Sequence, residues 1–169
     1  MENRILVAYA SKHGMTAEIA GKIGDTLRQC GLQADVMPVK NVRGLATYKA
    51  VVLGSAVYIA MWRKEIVKFL QENEGMLSER PLWIFSSGPL GEGDPLELLH
   101  GWLFPEAQRA LIERIKPRDI AVFHGAIDLK KMTLFEKWVL KRVKAQAGDF
   151  RDWAAINKWA TGIADELKK

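Results

Sequence analysis

Short apolar runs alternate with segments of helical spacing along most of this chain, and that alternation narrows the fold more than any single motif. Ile5-Leu6-Val7-Ala8-Tyr9-Ala10 is an apolar run bounded by turn residues. Such a run reads as a strand buried on both faces. From Thr16 to Cys30, apolar residues recur at Ile19, Ile23 and Leu27, with Ala20 and Gly24 beside them. Four-residue spacing marks one face of a helix, and Gly31 ends it. Residues 34–39 read as a second strand, which Pro38 places at an edge or ends early. Ala50-Val51-Val52-Leu53-Gly54 is a third, buried strand, and residues 65–72 form a helix on Ile66, Val67, Phe69 and Leu70. Leu82-Trp83-Ile84-Phe85 lies inside a fourth strand at 81–86, and a Gly/Pro-rich loop follows from Ser87 to Pro95. Residues 105–115 read as a helix with Pro near its first turn. Ile120-Ala121-Val122-Phe123 is the fifth strand. Asp152 caps a last helix whose apolar face is Trp153, Ile156, Ala160, Ile163 and Leu167.

Strands that alternate with helices imply a parallel sheet covered on both faces, a three-layer α/β sandwich. Right-handed crossovers leave few topologies. Five strands favour the order 2-1-3-4-5, in which ligands bind beyond the carboxyl ends of strands 1 and 3. The loops after strands 1, 3 and 4 therefore line the expected site. A length of 169 residues suits one domain spanning 1–169.

The first of these loops is Ser11-Lys12-His13-Gly14-Met15-Thr16. It runs from a buried strand into a helix, whose N-terminus offers free N–H groups and partial positive charge to a phosphate. Ser11 and Thr16 add hydroxyls, Gly14 permits a tight turn, and Lys12 and His13 add positive or titratable character. A plain turn with a threonine cap is the alternative. The second loop, Gly54-Ser55-Ala56-Val57-Tyr58-Ile59-Ala60-Met61-Trp62, is small, then apolar and aromatic. Its backbone can approach a ring and Tyr58 or Trp62 can stack on one, or both aromatics belong to the core. The third loop, Ser86-Ser87-Gly88-Pro89-Leu90-Gly91-Glu92-Gly93-Asp94, is a flexible wrap. A phosphate cradle, an aromatic wall and a Gly-rich wrap together suit a flat heteroaromatic ring with one terminal phosphate.

Other uses of such a fold lack their residues. Ala10-Ser11 and Gly54-Ser55 stand where a phospho-acceptor domain needs acids. The dinucleotide and P-loop glycine patterns are absent, as is G-x-S-x-G. His13, His100, His124 and the single Cys30 give no metal spacing. No nucleic-acid module is recognisable. The net charge of +5 permits an anionic partner without requiring one. With one cysteine, no signal-like start and no apolar run near the ~20 residues a bilayer needs, the expected location is the cytoplasm.

These residues carry a resemblance. The chain is similar to the flavodoxin superfamily over nearly its whole length, and its first loop resembles that family's phosphate loop, commonly [ST]-x-T-G-x-T. Ser11, Gly14 and Thr16 match, while His13 replaces a hydroxyl residue. The resemblance implies a flavodoxin-like fold with FMN as cofactor. It implies FMN contacts from Ser11, Lys12, His13, Gly14, Met15 and Thr16, from Ser55, Ala56, Val57, Tyr58 and Ile59, and from Ser87, Gly88, Pro89, Leu90 and Gly91. Within the superfamily, the chain is more similar to the flavodoxin-domain subgroup that includes menaquinone-dependent protoporphyrinogen IX dehydrogenase. Three stretches carry this: Gly54-Ser55-Ala56-Val57-Tyr58; His124-Gly125-Ala126-Ile127; and Gly148-Asp149-Phe150-Arg151-Asp152-Trp153. That subgroup implies an oxidoreductase in heme biosynthesis, passing electrons through FMN to a quinone. A non-catalytic electron carrier and an FMN-dependent quinone reductase, often a homodimer, are the alternatives. The third loop has no aromatic close to the ring, which leaves one flavin face uncovered and favours an enzyme.

One segment fits no strand or helix of the basic pattern. From Lys130 to Ala147 the chain reads as an extra helical stretch with Leu134, Phe135, Trp138, Val139 and Val143 apolar and Lys131, Lys137, Lys141, Arg142 and Lys144 basic. Such a helix lies on an anionic membrane surface or holds a partner, or it packs on the sheet edge with a solvated cationic face. The first reading adds peripheral contact with the inner face of the membrane.

Overall fold

The computed structural model describes residues 3–169. Its elements run β1 (Arg4–Ala10), α1 (Met15–Gln29), β2 (Gln33–Pro38), β3 (Tyr48–Tyr58), β4 (Met61–Trp62), α2 (Lys64–Glu72), α3 (Glu74–Ser78), β5 (Leu82–Ser87), α4 (Pro95–Leu98), α5 (Arg109–Ile115), β6 (Asp119–Phe123), β7 (Ala126–Ile127), α6 (Leu134–Arg142), β8 (Gly148–Asp149) and α7 (Trp153–Leu167). The sheet order is β2-β1-β3-β5-β6, all parallel, with β4 added antiparallel to β3. Taking the five parallel strands alone, this is the expected 2-1-3-4-5.

Side-chain alternation divides the strands between two layers. Ile5, Val7, Val52, Trp83 and Phe85 face α1 and α7, where Ile19, Ile23, Leu27, Ile156, Ala160 and Ile163 meet them. Leu6, Ala8, Val51, Leu53 and Ile84 face the other way, onto Ile66 and Leu70 of α2, Leu77 of α3 and Leu111, Ile112 and Ile115 of α5. Both faces of the sheet are thus covered, as the continuous apolar runs require. Gly54 pairs with Phe85 across the β3–β5 ladder. A Cβ at Gly54 would stand 2.0 Å from Phe85 Cζ, so the glycine makes room for that ring.

The structure adds the short helices α3 and α4 and departs from the sequence reading in four further places. β3 does not end at Gly54; it continues to Tyr58 and turns back through Ile59 and Ala60 into β4. Ile59 (φ 50) and Ala60 (φ 55) both occupy the left-handed region, the backbone of a type I′ hairpin turn. Residues expected as a loop are therefore a strand end and a hairpin. The helix expected from residue 105 opens with a 3-10 turn at Glu106–Gln108 and becomes α-helical at Arg109. The stretch expected to be helical over 130–147 shrinks to α6, nine residues, after a 3-10 turn at Leu129–Lys131. A Thr133–Glu136 capping box starts α6, and Lys144, in the left-handed region (φ 52), follows its end. Finally, β7 and β8 form a separate antiparallel ribbon that closes the base of this segment. Among the described residues, no helix is long and apolar enough to cross a membrane.

Candidate cofactor site

The carboxyl ends of the central strands are aligned by their pairing: Ala10 lies opposite Ser55, and Ser55 and Ala56 opposite Ser86 and Ser87. The three loops expected to form the site leave the sheet side by side. Gly88 also touches the second loop, since a Cβ there would stand 3.1 Å from Val57 Cβ.

At the first loop, Gly14 is the N-cap residue of α1, with φ 85, and no side chain caps the helix. The threonine-cap alternative does not hold, because Thr16 lies inside the first turn. The Ser11 hydroxyl accepts from Gly14 N at 2.9 Å, which folds the loop back on itself. The first-turn N–H groups of α1, from Met15 onward, have no partner within the helix. Thr16 is buried at this end. An uncapped helix N-terminus with nearby hydroxyls and cations is the donor set that a phosphate monoester takes. The residues present therefore fit the phosphate of FMN.

The cations of this loop have a partner that sequence reading missed. Lys12 Nζ donates to Glu136 Oε1, and His13 Nε2 lies 3.2 Å from the same oxygen. Glu136 comes from α6, more than a hundred residues along the chain. The Lys12 ammonium first, then the Thr133 N–H, holds its carboxyl down to about 2 from the ordinary 4.5. Arg151 is a second unforeseen tie. Its guanidinium grips Asp149, donates to Glu18 Oε2 at 2.6 Å and reaches Met15 O at 3.3 Å. It fastens β8 to the first turn of α1.

At the second loop the expected residues divide. Ser55 is fully buried; its hydroxyl donates to Ala56 O and accepts from Arg63 N, both at 2.9 Å. It closes the base of the hairpin. Trp62 belongs to the core, 4% exposed, with its indole N–H donating to Ser86 Oγ at 2.8 Å. That removes it as a stacking partner. Ala56 is buried and Val57 half-buried, whereas Tyr58 (44%), Ile59 (96%) and Met61 (60%) are exposed at the tip. Tyr58 is the aromatic left to face a ring. Its phenol is pushed up by burial, partly offset by Arg63 and then Lys12, so the hairpin and the first loop share one neighbourhood.

The third loop is braced rather than free. Ser87 ends β5, and Gly88 N donates to Phe123 O at 3.2 Å. The Pro89 carbonyl accepts from Gly125 N at 2.9 Å, and its other neighbour is His124 Nδ1 at 3.2 Å. His124 Nε2 meets Gly93 O at 2.7 Å. The buried imidazole therefore bridges both sides of the bend formed by Leu90 and Gly91 (φ 110). His124 lies directly after the fifth strand, outside the three loops expected at the site, and its role follows only from the loop folding over it.

Two cavities adjoin these loops. One of about 750 Å³ lies between the hairpin and residues 101–109, lined by Met61, Trp62, Trp102, Phe104, Lys64 and Lys68 among others. The other, about 510 Å³, lies between α1 and the β7–β8 ribbon, with Met15, Lys131 and Arg151 in its wall. Of the residues expected to contact FMN, Met15 alone lines either of them.

The chain is 20% identical over 173 residues to the protoporphyrinogen IX dehydrogenase [quinone] of Escherichia coli strain K12, a match covering 95% of this chain and 94% of that protein. Among solved structures it is similar to a flavodoxin from the domain Archaea, with a TM-score of 0.65 and 14% identity over 98% of this chain and 99% of that one. It is also similar to oxidised flavodoxin 2 from Bacillus cereus, with a TM-score of 0.60 and 20% identity over 96% and 99%. The flavodoxin domain profile matches residues 6–153. The chain belongs to the flavodoxin domain family, a membership that indicates FMN as its cofactor.

Proposed function

We propose that this protein is an FMN-dependent oxidoreductase that dehydrogenates a large, largely apolar substrate and passes the hydrogen to a quinone, as a protoporphyrinogen IX dehydrogenase does. The observation that carries this is the open, apolar tip of the β3–β4 hairpin. Tyr58, Ile59 and Met61 stand exposed beside the three loops, with the 750 Å³ cavity and its Trp62, Trp102 and Phe104 wall directly behind. A shielded carrier covers its ring; a hairpin of exposed apolar residues offers contact area to a substrate. The relative over nearly the full length of both chains bears the same activity in its name.

The bound FMN would supply the hydrogen transfer. The chain's own work is positional. The α1 N-terminus and Thr16 hold the phosphate, and Tyr58 and the 88–91 bend set the ring's place. The hairpin tip excludes water from one side. Backbone N–H groups of Ile59 at the hairpin tip and of Leu90 and Gly91 in the bend are the donors that would favour added negative charge on the ring. The basic, apolar surface of 130–147 would bring the site to a membrane that holds the quinone.

The test is an anaerobic turnover assay of the FMN form with protoporphyrinogen, offering menaquinone, NAD(P)H and a one-electron acceptor in parallel. Porphyrin formation that depends on menaquinone is expected. Turnover only with the one-electron acceptor, and none with protoporphyrinogen, would replace this reading with an electron carrier.

A further inference from the structure

We infer that Lys131, carried by the inserted segment between β7 and β8, is a phosphate-binding residue of the cofactor site. The inference rests on the FMN reading above and adds a ligand from outside the first loop. Lys131 Nζ lies 4.0 Å from where a Cβ on Gly14 would stand, directly over the uncapped N-terminus of α1. Its side chain is exposed, and among the described residues it pairs with no carboxylate. The nearby carboxylate, Glu136, is already committed. One oxygen takes Lys12 and His13, and the other accepts from Thr133 N at 2.8 Å.

The segment that carries Lys131 is fixed at both ends. At its base, Ala126 and Ile127 pair with Asp149 and Gly148, and Phe150 N donates to Gly125 O at 3.2 Å. Arg151, with a side chain only 6% exposed, locks that base to Glu18 of α1. At its far end, Glu136 is latched to the phosphate loop. Lys131 lies between the two anchors, in the 3-10 turn Leu129–Lys131, whose start is capped by Asp128. An unpaired ammonium held this way over open helix N–H groups is suited to a dianionic phosphate monoester. It adds nothing for a flavin that lacks the phosphate.

The experiment titrates flavin-free full-length protein with FMN and with riboflavin, following flavin fluorescence at low and at high salt. The wild type is expected to favour FMN. Lys131→Met is expected to bind FMN roughly tenfold more weakly, in line with a lost hydrogen bond to a charged group. Its riboflavin affinity is expected to stay unchanged and its FMN affinity to depend less on salt. Lys131→Arg is expected to keep most of the FMN affinity, which separates lost charge from a damaged fold. A wild type that favours FMN and a Lys131→Met variant that binds it equally well would overturn this inference alone. A wild type that binds neither flavin would overturn the cofactor reading beneath it.

Discussion

A glycine makes room for an aromatic ring beneath the site. Gly54 reads in sequence as the last residue of a short strand, a place where glycine ordinarily marks a turn. In the structure it lies mid-strand, and its missing side chain is the space that Phe85 fills. Phe85 in turn meets Phe123 at 6.0 Å and Trp159 at 6.2 Å, ring to ring. Gly54→Ala therefore overpacks an aromatic cluster rather than disturbing a loop. Overpacking of this kind costs about 1–3 kcal/mol, which urea denaturation should read as a lower midpoint with an unchanged slope. Ser11, Gly14 and Thr16 lie at a helix N-terminus as expected, yet the glycine and not the threonine takes the cap position. Gly14→Val forces a β-branched residue to φ 85, where its own Cβ crowds the backbone. Weaker FMN binding is expected, measured against riboflavin as a control for general damage. Equal loss of both flavins would point to the fold instead of the phosphate.

At the scale of elements, local pattern revealed what is held by local forces. The five parallel strands and helices α1, α2 and α7 were legible because apolar spacing and buried faces coincide in them. The β3–β4 hairpin was not, because Tyr58-Ile59-Ala60-Met61 contains none of the Asn-Gly or Gly-Gly signals that mark a type I′ turn. Ile59 takes a left-handed conformation that a β-branched residue resists, and it is 96% exposed, so little packing offsets the strain. Ile59→Gly should stabilise the protein by about 1 kcal/mol, seen as a higher Tm. If the exposed side chain contacts substrate, the same variant should raise KM. A variant that is less stable would show that Ile59 packs where the structure leaves it open. The latch between α6 and the first loop was equally illegible, because Glu136 and Lys12 are far apart in sequence and look like ordinary surface charges. It carries a pH signature. The folded-state pKa of Glu136 lies below its ordinary 4.5, at about 2. Its contribution is therefore complete above about 4.5 and lost as the pH falls toward 2. Protection factors of the α6 amides, taken against the intrinsic exchange rate at each pH, should fall across that window in the wild type. In Glu136→Gln they should already be low at neutral pH and change less. Identical pH profiles would remove the latch.

On the scale of the whole molecule, exposed apolar residues gather at the β3–β4 hairpin tip and, in greater number, on and just after α6. α6 contributes no buried residue. Leu134 (85%), Phe135 (71%), Trp138 (56%) and Val143 (64%) stand exposed together. Phe135 and Trp138 stack at 6.0 Å, and the Arg142 guanidinium lies 5.3 Å over the Trp138 ring. Glu136 turns inward to the phosphate loop while this apolar arc turns away from the domain. The alternative of a helix packed on the sheet edge therefore does not describe α6. A patch of aromatic and aliphatic residues beside Lys137, Lys141, Arg142 and Lys144 has the composition of an element suited to an anionic interface. In the proposed membrane contact the exposed side chains would supply the apolar insertion and the lysines the attraction. The two contributions separate by experiment. The protein is expected to sediment with anionic vesicles at low salt and less at high salt, where lysine attraction is screened. Phe135→Ser with Trp138→Ser should abolish binding at both salt levels while leaving FMN affinity intact, because neither ring touches the phosphate loop. Neutral vesicles should hold the wild type weakly. If the wild type remains in solution with anionic vesicles at low salt, the exposed face of α6 must serve something other than lipid, and delivery of the site to a membrane quinone loses its structural basis.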